Sequence, residues 1–172
     1  RFFSYMTTHQ AKLIHDNISV NFKGLAPTGD TYTYDDAITR YKLALLNTVV
    51  KKAKVSERAY TCLKLAWLYR GKAENLKPDE ADYAKKKEEC AKAEKEMLAN
   101  AYEGFMMSVS KENFPICGMD ETTLDYLMAN LAKQIGKIDE ASRIVSRILV
   151  SKTANPKIKD KARDLKESLK TK

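Results

Sequence analysis

The chain has 172 residues, of which 44% are hydrophobic and 31% are charged, so it is long enough to bury a core and too apolar to be disordered. Only 6 glycines and 4 prolines interrupt it, which argues against an all-β fold with many turns and favours long helices. Eight basic and three acidic residues lie beyond residue 150, so the net charge of +8 is mostly a basic end on a balanced body and is a weak argument for nucleic-acid binding.

The N-terminal residues 1–22 have a weak helical pattern, and residues 21–33 follow as a predicted loop. This loop contains Gly24, Pro27 and Gly29, the densest cluster of helix-breaking residues in the chain. We therefore predict a boundary here, with an N-terminal appendage at 1–33 and a helical domain at 34–172. Because the chain begins at Arg1 without a methionine, we expect it to be part of a longer protein.

From residue 34 onward, apolar residues recur at intervals of three and four, which predicts consecutive amphipathic helices. The first covers about 34–53, with Asp35 or Asp36 as acidic residues of its first turn. Ser56 is the predicted cap of the second helix, which ends near residue 73. These two segments begin the helical domain.

A third predicted helix opens at Asp79 and reaches about residue 110. Its first half, 79–96, is dense in mixed charge and is interpreted as a solvated helix face, with a partner contact as the alternative. Asp120 is the predicted cap of a fourth helix, which ends near residue 136. The third helix is thus the longest of the set.

Asp139 begins a fifth predicted helix, and Pro156 opens the last one. The last helix has a single narrow apolar stripe, formed by Ile158, Ala162, Leu165 and Leu169. One apolar edge on a polar helix is typical of the terminal cap of a helical stack. Its many lysines indicate a solvated cap, with RNA or an anionic membrane surface as the alternative contact.

Three segments match the two helices of the tetratricopeptide repeat, which pairs small residues at close helix crossings with large ones beside them. Residues 37–44 and 101–108 match its second helix, and residues 62–69 match its first. A further unit follows at 127–148 with the same spacing. We therefore predict an all-α, tetratricopeptide-like helical repeat of antiparallel helix pairs with a C-terminal capping helix. The extension at 79–96 departs from a regular repeat.

Two motifs carry a closer resemblance, Leu-Lys-Leu-Ala-Trp-Leu-Tyr-Arg at 63–70 and Phe-Pro-Ile-Cys-Gly-Met-Asp-Glu at 114–121. They resemble the C-terminal half of an uncharacterised bacterial family, a domain of unknown function, over roughly 34–165. That family joins an N-terminal segment with CxxC pairs to a tetratricopeptide-like C-terminal half. The resemblance implies a cytoplasmic bacterial protein with a helical-repeat fold and no established activity. CxxC pairs are absent from this sequence, so their metal binding is not carried over to it.

Cys62, Cys90 and Cys117 form no CxxC pair and predict neither a zinc site nor a disulfide framework. Unpaired thiols favour a reducing compartment, and we predict a cytoplasmic protein. No apolar run approaches the roughly 20 residues of a membrane span. We expect no cofactor and no metal site. His9 and His15 are interpreted as surface residues, since a six-residue spacing does not place them on one helix side.

In the tetratricopeptide repeat, the ligand-facing surface is built mainly from the first helix of each pair. The positions that flank the packing residues of these first helices form a predicted partner-binding cluster of aromatic, cationic and polar side chains. Its members are Tyr60, Trp67, Arg70, Thr123, Tyr126, Asn130 and Lys133. Aromatic rings supply contact area, and cations and amides fix polar groups, so the cluster suits an extended peptide or a C-terminal carboxylate. The alternative is that Trp67 and Tyr126 pack against neighbouring helices.

The sequence contains no HExxH motif, no Gly-rich phosphate loop and no nucleophile with an orienting base, so we predict no enzyme activity. Cys117 lies in the 114–121 segment, which is interpreted as a capped turn between helices, with a reactive thiol as the alternative. We predict a non-catalytic scaffold or adaptor that binds a peptide or protein. The alternatives are a nucleic-acid-associated protein that uses the basic C-terminal helix and the recognition half of a longer metal-binding protein.

Overall fold

A computed structural model describes residues 7–21 and 32–170 of the chain. This part of the chain is all-α, as predicted, and its only extended pairing is an isolated bridge between Ile116 and Met119. None of its helices is long and apolar enough to cross a membrane. The helices, in chain order, are α1 (Thr8–Asn21), α2 (Tyr34–Val50), α3 (Val55–Asn75), α4 (Tyr83–Lys111), α5 (Glu121–Gln134), α6 (Ile138–Val150) and α7 (Pro156–Lys170).

Each helix packs against the next one along the chain, and α5 also contacts α7. The most extensive contact joins α3 to α4, where Gly104 lies so close to α3 that a Cβ at this position would be 2.8 Å from the Ala59 Cβ. α3 and α5 have no Cα atoms within 8 Å of each other, although α4 contacts both of them. A space is therefore left between α3 and α5.

The core is shared by α3, α4, α5 and α6. Its fully buried side chains include Leu63, Phe105, Leu124, Met128, Leu131, Val145 and Ile148. Burying such a side chain contributes about 1.5–3 kcal/mol, so these layers supply much of the fold's stability. The predicted stripe of α7 is confirmed, because Ala162 and Leu165 are buried and the two flanking members pack partly on the core.

The start of α2 is fixed by a reciprocal cap. The backbone N–H of Asp36 donates to the Thr33 hydroxyl (3.2 Å), and the backbone N–H of Thr33 donates to the Asp36 carboxylate (3.1 Å). The Thr33 hydroxyl also donates to this carboxylate and lowers the pKa of Asp36. The acidic first turn, with Asp35 and Asp36, is as predicted.

The predicted cap of the next helix is wrong. α3 begins at Val55 after Lys54, so Ser56 lies inside its first turn and is buried. Its backbone N–H donates to Glu112 Oε1 (2.9 Å), and its hydroxyl donates to Glu112 Oε2 (2.6 Å). A carboxylate that follows α4 thus binds the positive end of α3, and it replaces the cap that the local sequence suggested.

The third predicted helix starts later than Asp79. Before α4, the backbone N–H of Lys77 donates to Glu80 Oε1 (3.0 Å), and Asp82 adopts a left-handed conformation with φ of 60°. The charged extension is therefore part turn and part helix. Asp120 is the cap of α5, as predicted, because it accepts the backbone N–H of Thr123 at 2.7 Å.

α1 packs on α2 with Ile14 buried, and Gln10 Nε2 donates to the carbonyl of Val50 (3.2 Å). His9 and His15 are both exposed, as predicted. Most of the predicted loop at 21–33, with its three breaker residues, lies outside the described residues. The predicted boundary after residue 33 therefore stays a prediction.

Candidate functional site

A groove of about 420 Å³ runs between α3 and α5, which have no Cα atoms within 8 Å of each other. We call it the α3–α5 groove. The α5 residues that line it recur at intervals of three and four, so they form one stripe of that helix. The lining residues are Tyr60, Leu63 and Trp67 of α3, Met119 of the preceding loop, and Thr123, Tyr126, Leu127, Asn130, Leu131 and Gln134 of α5.

The aromatic side chains of the groove are accessible. Tyr60 is 37% exposed and Trp67 is 43% exposed, while Tyr126 is half-buried and also packs against the core. Exposure of a large ring is informative because most large apolar side chains are buried. Trp67 is thus available to a ligand, and the alternative of helix packing applies in part to Tyr126.

Two lysines lie over these rings. The ammonium nitrogen of Lys64 is 5.0 Å from the ring centroid of Tyr60 and 5.1 Å from that of Trp67. On the other wall, the ammonium nitrogen of Lys161 is 6.0 Å from the ring centroid of Tyr126. Such cation–π contacts hold the ammonium groups in place while leaving N–H donors for other acceptors. Neither lysine lines the groove itself, but each places an ammonium group next to an aromatic side chain of a groove wall.

Asn130 lines the groove but is partly engaged within its helix. Its Nδ2 donates to the carbonyl of Tyr126 at 2.8 Å. The amide oxygen, an acceptor with two lone pairs, completes the polar character of this wall. The structure thus brings together Tyr60, Trp67, Thr123, Tyr126 and Asn130 of the predicted cluster.

Arg70 and Lys133 do not line the groove. Arg70 Nε donates to Glu94 Oε1 of α4 (2.7 Å), and the guanidinium also donates to Gln134 of α5. Lys133 Nζ donates to the Ser168 hydroxyl of α7 at 2.8 Å. Both cations link helices to each other. Arg70 ties α3 to α4 and α5 at one end of the groove, and Lys133 ties α5 to the terminal helix.

Sequence reasoning missed the two lysines on the rings. The position of Lys64 could have been predicted from the sequence, because residue 64 lies one helical turn from both Tyr60 and Trp67. The position of Lys161 could not, because its distance from Tyr126 depends on how α7 packs against α5. Leu63 and Leu131 also border the groove, but each is only 1% exposed and belongs to the core.

A second groove, of about 540 Å³, lies on the α2 side of the α3–α4 pair. Exposed apolar side chains mark it, including Val49 (49% exposed) and Met107 (46% exposed). Its lining also contains Arg58, Lys111 and Glu103, so charges of both signs are present. It is larger than the α3–α5 groove, but it contains no aromatic side chain.

The three cysteines are free, and the pKa of each thiol is raised because the surrounding protein shields its sulfur, at least in part, from water. Cys117 is exposed, and its thiol donates to the carbonyl of Ser56 (3.5 Å). A raised pKa keeps this sulfur protonated near neutral pH, which disfavours a nucleophilic thiolate. Within residues 7–21 and 32–170, no group of three or more His, Cys, Asp or Glu side chains is placed to hold a metal ion.

The fold and the groove define an all-helical protein with an exposed aromatic cleft between two helices. The sequence profile of a family described as uncharacterised proteins conserved in bacteria, DUF2225, matches residues 1–169. The chain belongs to this family. The match extends further toward the N-terminus than the predicted resemblance over 34–165. No curated protein and no solved structure matches the chain.

Proposed function

We propose that the chain is a non-catalytic interaction module that binds an extended peptide segment of a partner protein in the α3–α5 groove. The observation that carries this proposal is the exposure of Tyr60 and Trp67 in a cleft that helix packing leaves open. Aromatic side chains in a concave site are typical anchors of protein recognition. The free cysteines fit a reducing compartment, and the proposal includes a cytoplasmic location.

The proposed fold is a tetratricopeptide-like repeat in which α3 with α4 and α5 with α6 are the helix pairs. The three motif segments fall on α2, α3 and α4, and each helix packs on its successor. The proposed arrangement departs from a regular stack where α3 and α5, the two first helices, stay apart. The groove occupies this position.

The size of the groove suits a short extended segment. From Thr123 to Gln134 the α5 wall is about 16 Å long at the helical rise of 1.5 Å per residue. An extended peptide rises by about 3.3 Å per residue, so about five residues span this wall. Met119 and Leu127, which are only partly buried, supply apolar surface for its side chains, and the Asn130 amide supplies a polar contact.

A random decapeptide phage-display library, selected on the 172-residue chain, tests the proposal. Selected peptides are expected to bind Trp67→Ala at least tenfold more weakly in calorimetry, because a central aromatic anchor contributes about 2 kcal/mol or more. Tyr32→Ala is the matched control, since Tyr32 is also exposed and carries a cation, Arg40, 4.7 Å from its ring centroid. Peptides that bind the Trp67 and Tyr126 alanine variants as tightly as the unchanged chain would refute the proposal.

A further inference from the structure

The charged side chains that contact the rings of the α3–α5 groove are both positive. Lys64 and Lys161 place an ammonium group over the rings of opposite walls, while none of the ten residues that line the groove is acidic. Neutral and apolar lining residues do not neutralise these cations. Two ammonium groups beside a lining without acidic side chains attract an anionic occupant.

Two acidic residues near the ends of the groove are already engaged by other side chains or by the backbone. At one end, Glu94 accepts hydrogen bonds from Arg70. At the other end, Asp120 accepts the backbone N–H of Thr123 and the hydroxyl of Thr122 as the cap of α5. These bonds direct both carboxylates to partners within the fold rather than to Lys64 or Lys161.

We propose that the occupant of the α3–α5 groove is an acidic segment of a partner protein, whose Asp or Glu side chains bind Lys64 and Lys161. This inference rests on the proposed peptide-binding function. The partner segment combines apolar residues, which contact Trp67 and Leu127, with carboxylates on both sides. Since Lys64 is held between two rings, less side-chain entropy is lost when a carboxylate binds it.

Single-stranded nucleic acid is the other anionic polymer that binds aromatic grooves, and it does so by stacking bases on ring faces. Here one face of Tyr60, Trp67 and Tyr126 already carries a lysine ammonium. On α7, moreover, Arg163 pairs with Asp160 and Lys170 pairs with Glu167, which weakens a phosphate-binding track. The geometry therefore favours a carboxylate-bearing peptide.

The test uses the same phage-display library, selected in parallel on the unchanged chain and on the double variant Lys64→Gln, Lys161→Gln. We expect Asp and Glu to be enriched among peptides selected by the unchanged chain and not among those selected by the variant. Lys85→Gln, Lys92→Gln is the matched control, because both lysines are exposed on α4 and the change in net charge is the same. Replacing the acids of one selected peptide by their amides is expected to weaken its binding about tenfold at low salt, and the difference should shrink as salt rises.

The outcomes separate this inference from the proposed function. Peptides that are sensitive to Trp67→Ala but show no acid enrichment overturn the acidic occupant and leave peptide binding intact. Acid-rich peptides selected equally by the double variant also overturn it. A ten-nucleotide oligouridine that displaces a selected peptide and binds more tightly overturns it in favour of nucleic acid. Absence of any peptide sensitive to Trp67→Ala refutes the proposed function itself.

Discussion

The close approach of α3 and α4 makes Gly104→Ala a sharp test of the packing. An added Cβ would lie 2.8 Å from the Ala59 Cβ and 3.3 Å from the Ala59 Cα. Favourable carbon–carbon contacts require about 3.5–4.0 Å, so the two helices must separate by about 0.5–1 Å. Ala59 has no rotamer to change and is 2% exposed, so only a backbone shift can relieve the overlap.

The expected magnitude follows from two opposing terms. Overpacking of this kind costs about 1–3 kcal/mol, and alanine gains about 1 kcal/mol over glycine inside a helix. We expect Gly104→Ala to lower the free energy of unfolding by about 1 kcal/mol. Urea denaturation followed by far-ultraviolet circular dichroism measures this change.

Gly71→Ala is the matched control because it is the same substitution inside a helix. Its Cβ would lie 2.6 Å from Cε1 of Tyr34, but this atom belongs to the end of a 39% exposed residue's ring, which can turn outward once its exposed hydrogen bond from Asn75 Nδ2 (3.2 Å) is released. We expect Gly71→Ala to stay within about 0.5 kcal/mol of the unchanged chain, since the propensity gain offsets the ring movement. Equal stability of the two variants would refute the close helix contact at Gly104.

Further predictions concern three polar contacts, each checked by urea denaturation. Arg147→Ala is expected to lower the free energy of unfolding by about 3 kcal/mol, because it leaves the 3% exposed carboxylate of Asp125 without its bidentate partner. Asp125→Ala is expected to lower it by only about 1 kcal/mol, and equal losses would contradict the burial of Asp125. Glu112→Ala is expected to cost about 1–3 kcal/mol by leaving the buried N–H and hydroxyl of Ser56 unpaired, and an unchanged stability would contradict the link between α4 and α3. The hydrogen bond from the backbone N–H of Thr123 lowers the pKa of Asp120. The Asp120 carboxylate therefore stabilises the fold fully above its unfolded pKa of about 3.9, and this stabilisation is lost as pH falls through its folded pKa. The difference in the free energy of unfolding between Asp120→Asn and the unchanged chain should therefore become smaller below about pH 4. A difference that stays constant with pH would contradict the charged cap.

The helices were predictable because their information is local. Apolar recurrence at three and four located α2 to α7 within a few residues, and the Asp120 cap follows from its own sequence neighbourhood. Ser56 was misassigned because its partner, Glu112, lies at the end of another helix. The start of α4 was misplaced because Asp79 belongs to a turn that ends at the left-handed Asp82.

The candidate site was predictable in its aromatic side chains and in the neutral polar residues Thr123 and Asn130, but not in its cations. Tyr60, Trp67 and Tyr126 followed from repeat register, which fixes the side of a helix that they occupy. The roles of Arg70 and Lys133 could not be predicted in this way, because the repeat pattern fixes the helix side on which a side chain lies but not its hydrogen-bond partner. Each of these two side chains bonds to another helix. Lys161 entered the site through the packing of α7 on α5, which no local pattern encodes.

The most direct test of peptide binding in the α3–α5 groove uses the chain's single tryptophan as a reporter. Trp67 is 43% exposed on the groove wall, so a bound peptide should shield its indole from water. We predict a saturable blue shift of its fluorescence when a selected peptide is added, with the same Kd as calorimetry and with weaker binding to Tyr126→Ala. Tight binding in calorimetry with unchanged Trp67 emission and an unaffected Tyr126→Ala variant would place the peptide elsewhere and contradict the account.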